Sequence, residues 1–129
     1  MRWRNRYEGS MQDHHRLVVW QKARALALLT YRATEHLPDD ERFGLKAQMR
    51  RAAVSIPSNI AEGAGRGGDR DFARFLRIAY GSACELETQA LLAGDVGVAP
   101  PQELERVVAS TNEVRRMLNA LIHTVSEQS

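Results

Sequence analysis

Residues 50–63 read Arg-Arg-Ala-Ala-Val-Ser-Ile-Pro-Ser-Asn-Ile-Ala-Glu-Gly, and this stretch is the most informative part of the chain for the fold. Apolar residues recur at helical spacing through it and the turn before it, which predicts one buried face of a helix: Leu45, Met49, Ala52, Ala53, Ile56 and Ile60. Pro57 lies in the middle of this helix, where it removes a backbone donor and crowds the carbonyl of Ala53. We therefore predict a kink at Pro57.

A second stripe, made of polar residues, runs beside the apolar face: Gln48, Arg51, Ser55, Asn59 and Glu62. At about 100° per residue these five positions fall within one quadrant of the helix. A helix does not need such a stripe merely to pack. Because buried polar networks fix a unique packing, we favour a structural role within or between subunits over ligand binding. Arg51 and Glu62 are candidates to pair across a subunit boundary.

Length and composition predict a single helical domain. The chain has 129 residues, 43% of them hydrophobic and 6% aromatic, which is enough for one core. Cys84 is the single cysteine, which excludes an intrachain disulfide and gives no sign of an oxidising compartment. No apolar run suits a membrane span, and residues 1–15 lack the apolar stretch of a signal peptide. We expect a cytoplasmic protein with no membrane partner.

Periodicity predicts four helices joined by short loops. The expected helices cover residues 17–36, 43–62, 70–93 and a fourth segment opened by Pro100 and Pro101. Asp69 is expected to cap helix 3. Helix 1 is expected to bury Leu17, Trp20, Ala23, Ala27 and Tyr31. Because short loops make neighbouring helices antiparallel, the sequence predicts an all-α, up-down-up-down four-helix bundle over residues 16–126, preceded by a flexible basic arm over residues 1–15.

The charge of the chain is unevenly distributed. The net charge is only +2, yet residues 42–77 carry eight basic and three acidic residues, while residues 78–129 carry three basic and seven acidic ones. Helix 3 places Arg70, Arg74 and Arg77 opposite its apolar face, with Arg66 just before them. Solvated arginines are common, so a plain soluble face is one interpretation. The other is an anion-binding strip for RNA or DNA phosphates.

Catalytic and metal-binding patterns are weak throughout the sequence. The glycine-rich turn 63–68 lacks the Lys-Ser/Thr of a phosphate loop and follows a helix instead of a strand. No Glu-x-x-His pair suits a di-iron bundle, and Cys84 has no evident histidine partner. His14 and His15 are adjacent in a polar arm, an arrangement that rarely makes a closed metal site. We predict no catalytic residues, no metal and no cofactor.

A family resemblance rests on four groups of residues: Trp20-Gln21-Lys22-Ala23, Gly44-Leu45 with Gln48, Arg50 through Gly63, and Phe75-Leu76 with Ala79, Gly81-Ser82 and Glu85-Leu86-Glu87. In these, the chain resembles the bacterial four-helix-bundle family named for proteins encoded in intervening sequences of 23S rRNA genes, over about residues 16–125. It is also similar to the accessory variability protein of diversity-generating retroelements. Gly67-Gly68-Asp69 departs from the family's more usual serine-containing turn.

The resemblance implies a small cytosolic homopentamer with no established enzymatic activity, whose retroelement relatives are thought to bind nucleic acid and a reverse transcriptase. Our leading hypothesis is therefore a non-enzymatic oligomeric scaffold that binds nucleic acid, or a nucleic-acid-processing partner, through its basic surface. A protein-only adaptor or assembly module is the alternative. An enzyme whose site forms only between subunits is the third class.

Overall fold

The structure, a computed structural model, describes residues 13–39 and 44–127. A short 3-10 turn, His14–Arg16, leads into four α-helices. These are α1 (Val18–Ala33), α2 (Leu45–Gly65), α3 (Asp69–Val96) and α4 (Pro101–Glu127). No β-strand occurs within the described ranges, so the all-α prediction is confirmed. None of the described helices combines the length and apolar character needed to cross a membrane.

Contacts between helices show that α2 and α3 run in opposite directions, as do α3 and α4. Arg77, near the start of α3, contacts Ser126, near the end of α4. Glu87, later in α3, contacts Arg115, which comes earlier in α4. Residue numbers therefore increase in opposite directions along the two helices. The core lies between the four helices, and its largest fully buried side chains come from all of them: Leu26, Met49, Ile56, Ile60, Leu76, Leu86, Val107, Val114, Leu118 and Val125. The predicted four-helix architecture is confirmed, and the directions of these helices are consistent with the predicted up-down-up-down order.

The predicted inner face of helix 1 was right for Ala23, which is buried, and in part for Leu17, Trp20 and Ala27, which pack half-buried against the core, but it was wrong for Tyr31. The buried residues are Val19, Ala23, Leu26, Thr30 and Ala33, whereas Tyr31 is exposed. Threonine can occupy the core here because its hydroxyl is satisfied within the helix: Thr30 Oγ1 donates to the Leu26 carbonyl at 2.8 Å. The helix also ends at Ala33, earlier than expected, and Thr34 is its C-terminal cap.

The other helix boundaries differ by a few residues. Phe43, the expected start of helix 2, lies outside the described residues; α2 begins at Leu45, after Gly44 in the left-handed conformation. Asp69 was expected to cap helix 3, but it is the first residue of α3, and Gly68 is the cap. α3 continues to Val96 because the left-handed residue that stops it is Gly97, with φ 80°.

α2 extends past Glu62 to Gly65. At Gly63 the backbone of α2 packs closely against α3. A Cβ added at Gly63 would lie 2.7 Å from the Cβ of Phe75 and 3.3 Å from the carbonyl oxygen of Phe72. Only a residue without a side chain permits this approach of the two helices. α2 also continues through Pro57, which is half-buried.

Candidate nucleic-acid interface

The predicted arginine strip lies at the junction of α2 and α3. Arg66 follows the last residue of α2, and Arg70, Arg74 and Arg77 project from the first turns of α3 on the side away from its buried residues. All four side chains are exposed. Gly67, with φ 84°, makes the turn that brings Arg66 beside α3.

Phe75 organises two of these arginines. The guanidinium carbons of Arg66 and Arg74 lie 5.1 Å and 4.3 Å from the centre of its ring, which is cation–π distance. Each arginine also faces a carboxylate: Arg66 Nη2 lies 3.2 Å from Glu62 Oε2, and Arg74 Nε lies 3.9 Å from Asp71 Oδ1. The ring holds both side chains in place while the carboxylates offset part of their charge.

The two remaining arginines differ from each other. Arg77 Nη2 donates to Ser126 Oγ at 3.0 Å, which directs the side chain toward the end of α4. The side chain of Arg70 makes no hydrogen bond or ion pair with any described residue, so its guanidinium is open to an anion. The strip therefore consists of Arg66, Arg70 and Arg74, with Arg77 at its edge.

The polar stripe of α2 contains three half-buried residues, Gln48, Ser55 and Asn59, and two exposed ones, Arg51 and Glu62. Ser55 Oγ lies 2.8 Å from Ser82 Oγ, which joins α2 to α3. Asn59 Nδ2 donates to the carbonyl and the hydroxyl of Ser55, at 2.8 Å and 3.0 Å. Gln48 is half-buried near the start of the helix. Arg51 is exposed, and Glu62 is paired with Arg66 instead, so pairing between Arg51 and Glu62 of different subunits stays a prediction.

A second polar cluster, which the sequence analysis did not identify, lies between α3 and α4. Arg115 donates to Glu87 Oε1 at 3.2 Å and to Asn112 Oδ1 at 2.9 Å. A hydrogen bond with the Cys84 thiol is the largest cause that raises the pKa of Arg115, and the charge of Glu87 adds to it. The Asn112-x-x-Arg115 spacing was visible in the sequence, but its partners on α3 depend on how the two helices are aligned. The ion pair of Arg115 with Glu87 joins α4 to α3.

One group of possible metal ligands occurs within residues 13–39 and 44–127. Ligand atoms of Asp13, His14 and His15 lie within 4.8 Å of one another. The two imidazole rings stack on each other and meet the Trp20 ring edge-on. A hydrogen bond of 2.8 Å joins His15 Nδ1 to Asp13 Oδ1, and this bond is the main cause that lowers the pKa of Asp13. The carboxylate is thus already engaged, and all three ligands come from one exposed turn.

A cleft lies between the second half of α3 and the first half of α4. Its volume is about 440 Å³, and its lining is mainly apolar and small, including Ala90, Leu91, Gly94, Leu104, Val108 and Ala109. Two carboxylates, of Asp95 and Glu105, also line it. No sequence motif marked this cleft, because its walls belong to two helices whose alignment the sequence does not state.

Comparison with known proteins identifies the family. The chain is similar to a solved structure of a protein of unknown function from the S23 ribosomal protein family of Bacteroides thetaiotaomicron, with 24% identity and a TM-score of 0.72. The match covers 81% of this chain and 98% of that one, and it shows a shared fold. No curated protein matches. A model of the family described as 23S rRNA-intervening sequence protein matches residues 15–120. The chain therefore belongs to the family of 23S rRNA-intervening sequence proteins.

Proposed function

We propose that this protein is a non-enzymatic cytoplasmic scaffold that assembles into a homo-oligomer and binds nucleic acid through the arginine strip at the α2–α3 junction. The observation that carries the proposal is the shared outward placement of Arg66, Arg70 and Arg74 on two adjoining helix ends. Phe75 holds two of them, so less side-chain entropy is lost when they meet a phosphate. The side chain of Arg70 has no carboxylate partner among the described residues, so a phosphate can bind it without displacing one.

The carboxylates beside the strip set its expected strength. Glu62 and Asp71 each face one arginine, so a phosphate competes with them for two of the three guanidinium groups. A single subunit is therefore a weak binder. Repetition of the strip around an oligomer makes the attraction multivalent, because each further contact becomes intramolecular once the first has formed. Contacts of this kind read phosphates and no base edges, so binding is tolerant of sequence.

Self-association is supported by apolar side chains that the bundle leaves exposed. Val18, Leu28, Leu91, Leu92 and Val96 are each about half exposed, and such apolar side chains gain free energy when a second subunit removes them from water. The pentamer implied by the family resemblance is the assembly we propose. Light scattering at micromolar concentration tests it, and a monomer there contradicts it.

Salt-dependent binding to fluorescently labelled duplex DNA and RNA tests the strip. The double substitution Arg70→Ala with Arg74→Ala is expected to weaken binding, and the slope of log affinity against log salt becomes shallower by about 0.9 per lost phosphate contact on DNA. Arg106→Ala with Arg116→Ala is the matched control, because it removes two exposed arginines from α4. That control should bind like the unaltered protein at every salt concentration.

The basic arm is the competing source of charge. Residues 1–12, with Arg2, Arg4 and Arg6, lie outside the described residues. Deleting residues 1–10 separates the two sources in the same binding assay. Loss of binding on deletion, with the Arg70 and Arg74 double variant unaffected, assigns the contact to the arm and refutes the strip.

A further inference from the structure

The cleft between α3 and α4 has an apolar floor. Ala90 and Leu104 are almost fully buried at its floor, while Leu91 is exposed at its edge. The residues at Gly94 and Ala109 are small, which leaves the volume of about 440 Å³ open. That volume falls in the range of clefts that bind small molecules or anchoring side chains, and it is larger than one leucine side chain.

The cleft is also negatively charged at its edge. Asp95 and Glu105 line it from α3 and α4, and neither carboxylate makes a hydrogen bond or ion pair with a residue in the described part of the chain. An apolar floor beside two open carboxylates selects an apolar group flanked by cations, because charge complementarity steers partners and penalises wrong ones.

The outer face of α1 carries that complementary pattern. Leu28 is 56% exposed, and Arg24 and Arg32 stand one helical turn before and after it, on the same face. The segment Val18–Ala33 contains three cations and no acidic residue. Its third cation, Lys22, is paired with Glu113 of α4 in the same chain. Arg24 lies over the Trp20 ring, and Arg32 makes no ion pair with a described residue.

We infer that Leu28 of one subunit inserts into the α3–α4 cleft of a second copy, with Arg24 and Arg32 facing Asp95 and Glu105. This inference rests on the self-association proposed above and names the surfaces that produce it. Two changes favour the contact. The side chain of Leu28 is removed from water, and the two arginines pair with two carboxylates that have no described partner in their own chain. Both gains occur only when the two surfaces meet.

The two surfaces are different parts of the same molecule, so the contact is head-to-tail. Each subunit offers one α1 face and one cleft, and both are used at once in an assembly of more than two copies. A heterologous contact of this kind generates a closed ring if its rotation closes, and a filament if it does not. A two-fold dimer, in which one patch meets itself, is not expected.

Complementation between two defective variants tests the head-to-tail contact. Leu28→Asp removes the inserting side chain, and Ala109→Arg fills the cleft with a cationic side chain. Both positions are exposed, so both variants should keep the circular dichroism of the unaltered protein. By light scattering at micromolar concentration, each variant alone is expected to be a monomer. An equimolar mixture is expected to form a one-to-one dimer, because one intact α1 face and one intact cleft remain.

Val54→Asp is the matched control, since Val54 is an exposed aliphatic residue (42%) of α2, outside both surfaces. It should assemble like the unaltered protein. As a second route, Arg24→Glu with Arg32→Glu should block assembly, and adding Asp95→Arg with Glu105→Arg in the same chain should restore it.

The outcomes separate the two proposals. A monomeric unaltered protein refutes the proposed assembly, and with it this contact. Assembly that survives both Leu28→Asp and Ala109→Arg leaves the oligomer standing and places its interface elsewhere. Assembly lost with Leu28→Asp but kept with Ala109→Arg removes the cleft as the acceptor. A mixture of the two variants that stays monomeric overturns the head-to-tail arrangement.

Discussion

The α2–α3 pair and the α1 edge of the bundle are held together by different means. At Gly63 the backbone of α2 lies so close to Phe72 and Phe75 that even a methyl group does not fit. α1 buries one apolar face in the core, and long side chains add polar tethers at its edges: Arg50 of α2 donates to Thr34 Oγ1 and to the Tyr31 carbonyl, and Lys22 pairs with Glu113 of α4. Close backbone packing resists any change of volume, whereas polar tethers can be lost one at a time. We therefore expect α1 to be the more separable element.

The largest effect is expected at the close approach of α2 and α3. Gly63→Ala places a Cβ 2.7 Å from Phe75 Cβ, an atom that cannot rotate away. Overpacking of this kind costs about 1–3 kcal/mol, which exceeds the gain of up to about 1 kcal/mol from replacing a helical glycine. Denaturant unfolding should show a net loss of stability.

Gly65→Ala is the control for that substitution, because nothing lies within 4 Å of its added Cβ. It should raise stability by about 0.4–1 kcal/mol through the entropy of the unfolded chain. Equal effects at positions 63 and 65 would mean that the close approach does not limit packing.

An intermediate effect is expected at the tether of α1. Arg50→Ala removes the donors to Thr34 Oγ1 and the Tyr31 carbonyl, at 2.9 Å and 3.1 Å, and the stacking of Arg50 over the Tyr31 ring. The expected loss is about 1.5 kcal/mol, the lower end for hydrogen bonds of a charged group, because the side chain is only part-buried. Hydrogen exchange should speed up in α1 more than in α3.

Arg116→Ala serves as the control, since the Arg116 side chain on α4 is exposed and makes no hydrogen bond or ion pair with a described residue. It should leave both stability and exchange unchanged. If Arg50→Ala speeds exchange equally in all four helices, α1 is not a separable unit.

The smallest effect is expected at the connection between α1 and α2. Lys46 Nζ lies 2.7 Å from Asp39 Oδ1, and this hydrogen bond is the main cause that lowers the pKa of Asp39 below 3.8. A carboxylate whose folded pKa is depressed stabilises the protein above its unfolded pKa, and that contribution is lost as the pH falls through the folded value. Asp39→Asn should lower the melting temperature slightly at neutral pH and not at all at a pH below the folded pKa of Asp39. A difference that persists there would assign the effect to something other than the ion pair.

The sequence was sufficient for the inner faces of α2 and α3, and the reason is the strength of their periodicity. Phe72, Leu76, Ala79 and Ala83 repeat on one side of α3 with charged residues opposite, and all four are buried. Helix 1 was harder because Leu, Ala, Trp and Tyr occur around most of its circumference. The choice of Thr30 over Tyr31 for the core depended on a hydroxyl bond within the helix and on the position of Arg50, neither of which periodicity records.

The candidate site was predictable only in part. The arginine strip follows from the i, i+4 and i+7 spacing of Arg70, Arg74 and Arg77, which fixes one face of a single helix. That Arg77 turns to Ser126 of α4, and that Phe75 supports Arg66 and Arg74, depends on distances between elements.

By itself, the sequence determined the helical class, the four segments and the family, because these depend on local periodicity and on motifs within single helices. Only the tertiary structure decided which polar groups meet, such as Ser55 with Ser82 and Arg115 with Glu87, and where a cleft remains open. The physical reason is that helix phase and alignment are set by the packing of neighbouring faces. A rotation of one helix by part of a turn changes every side-chain partner while leaving its pattern of apolar residues almost the same.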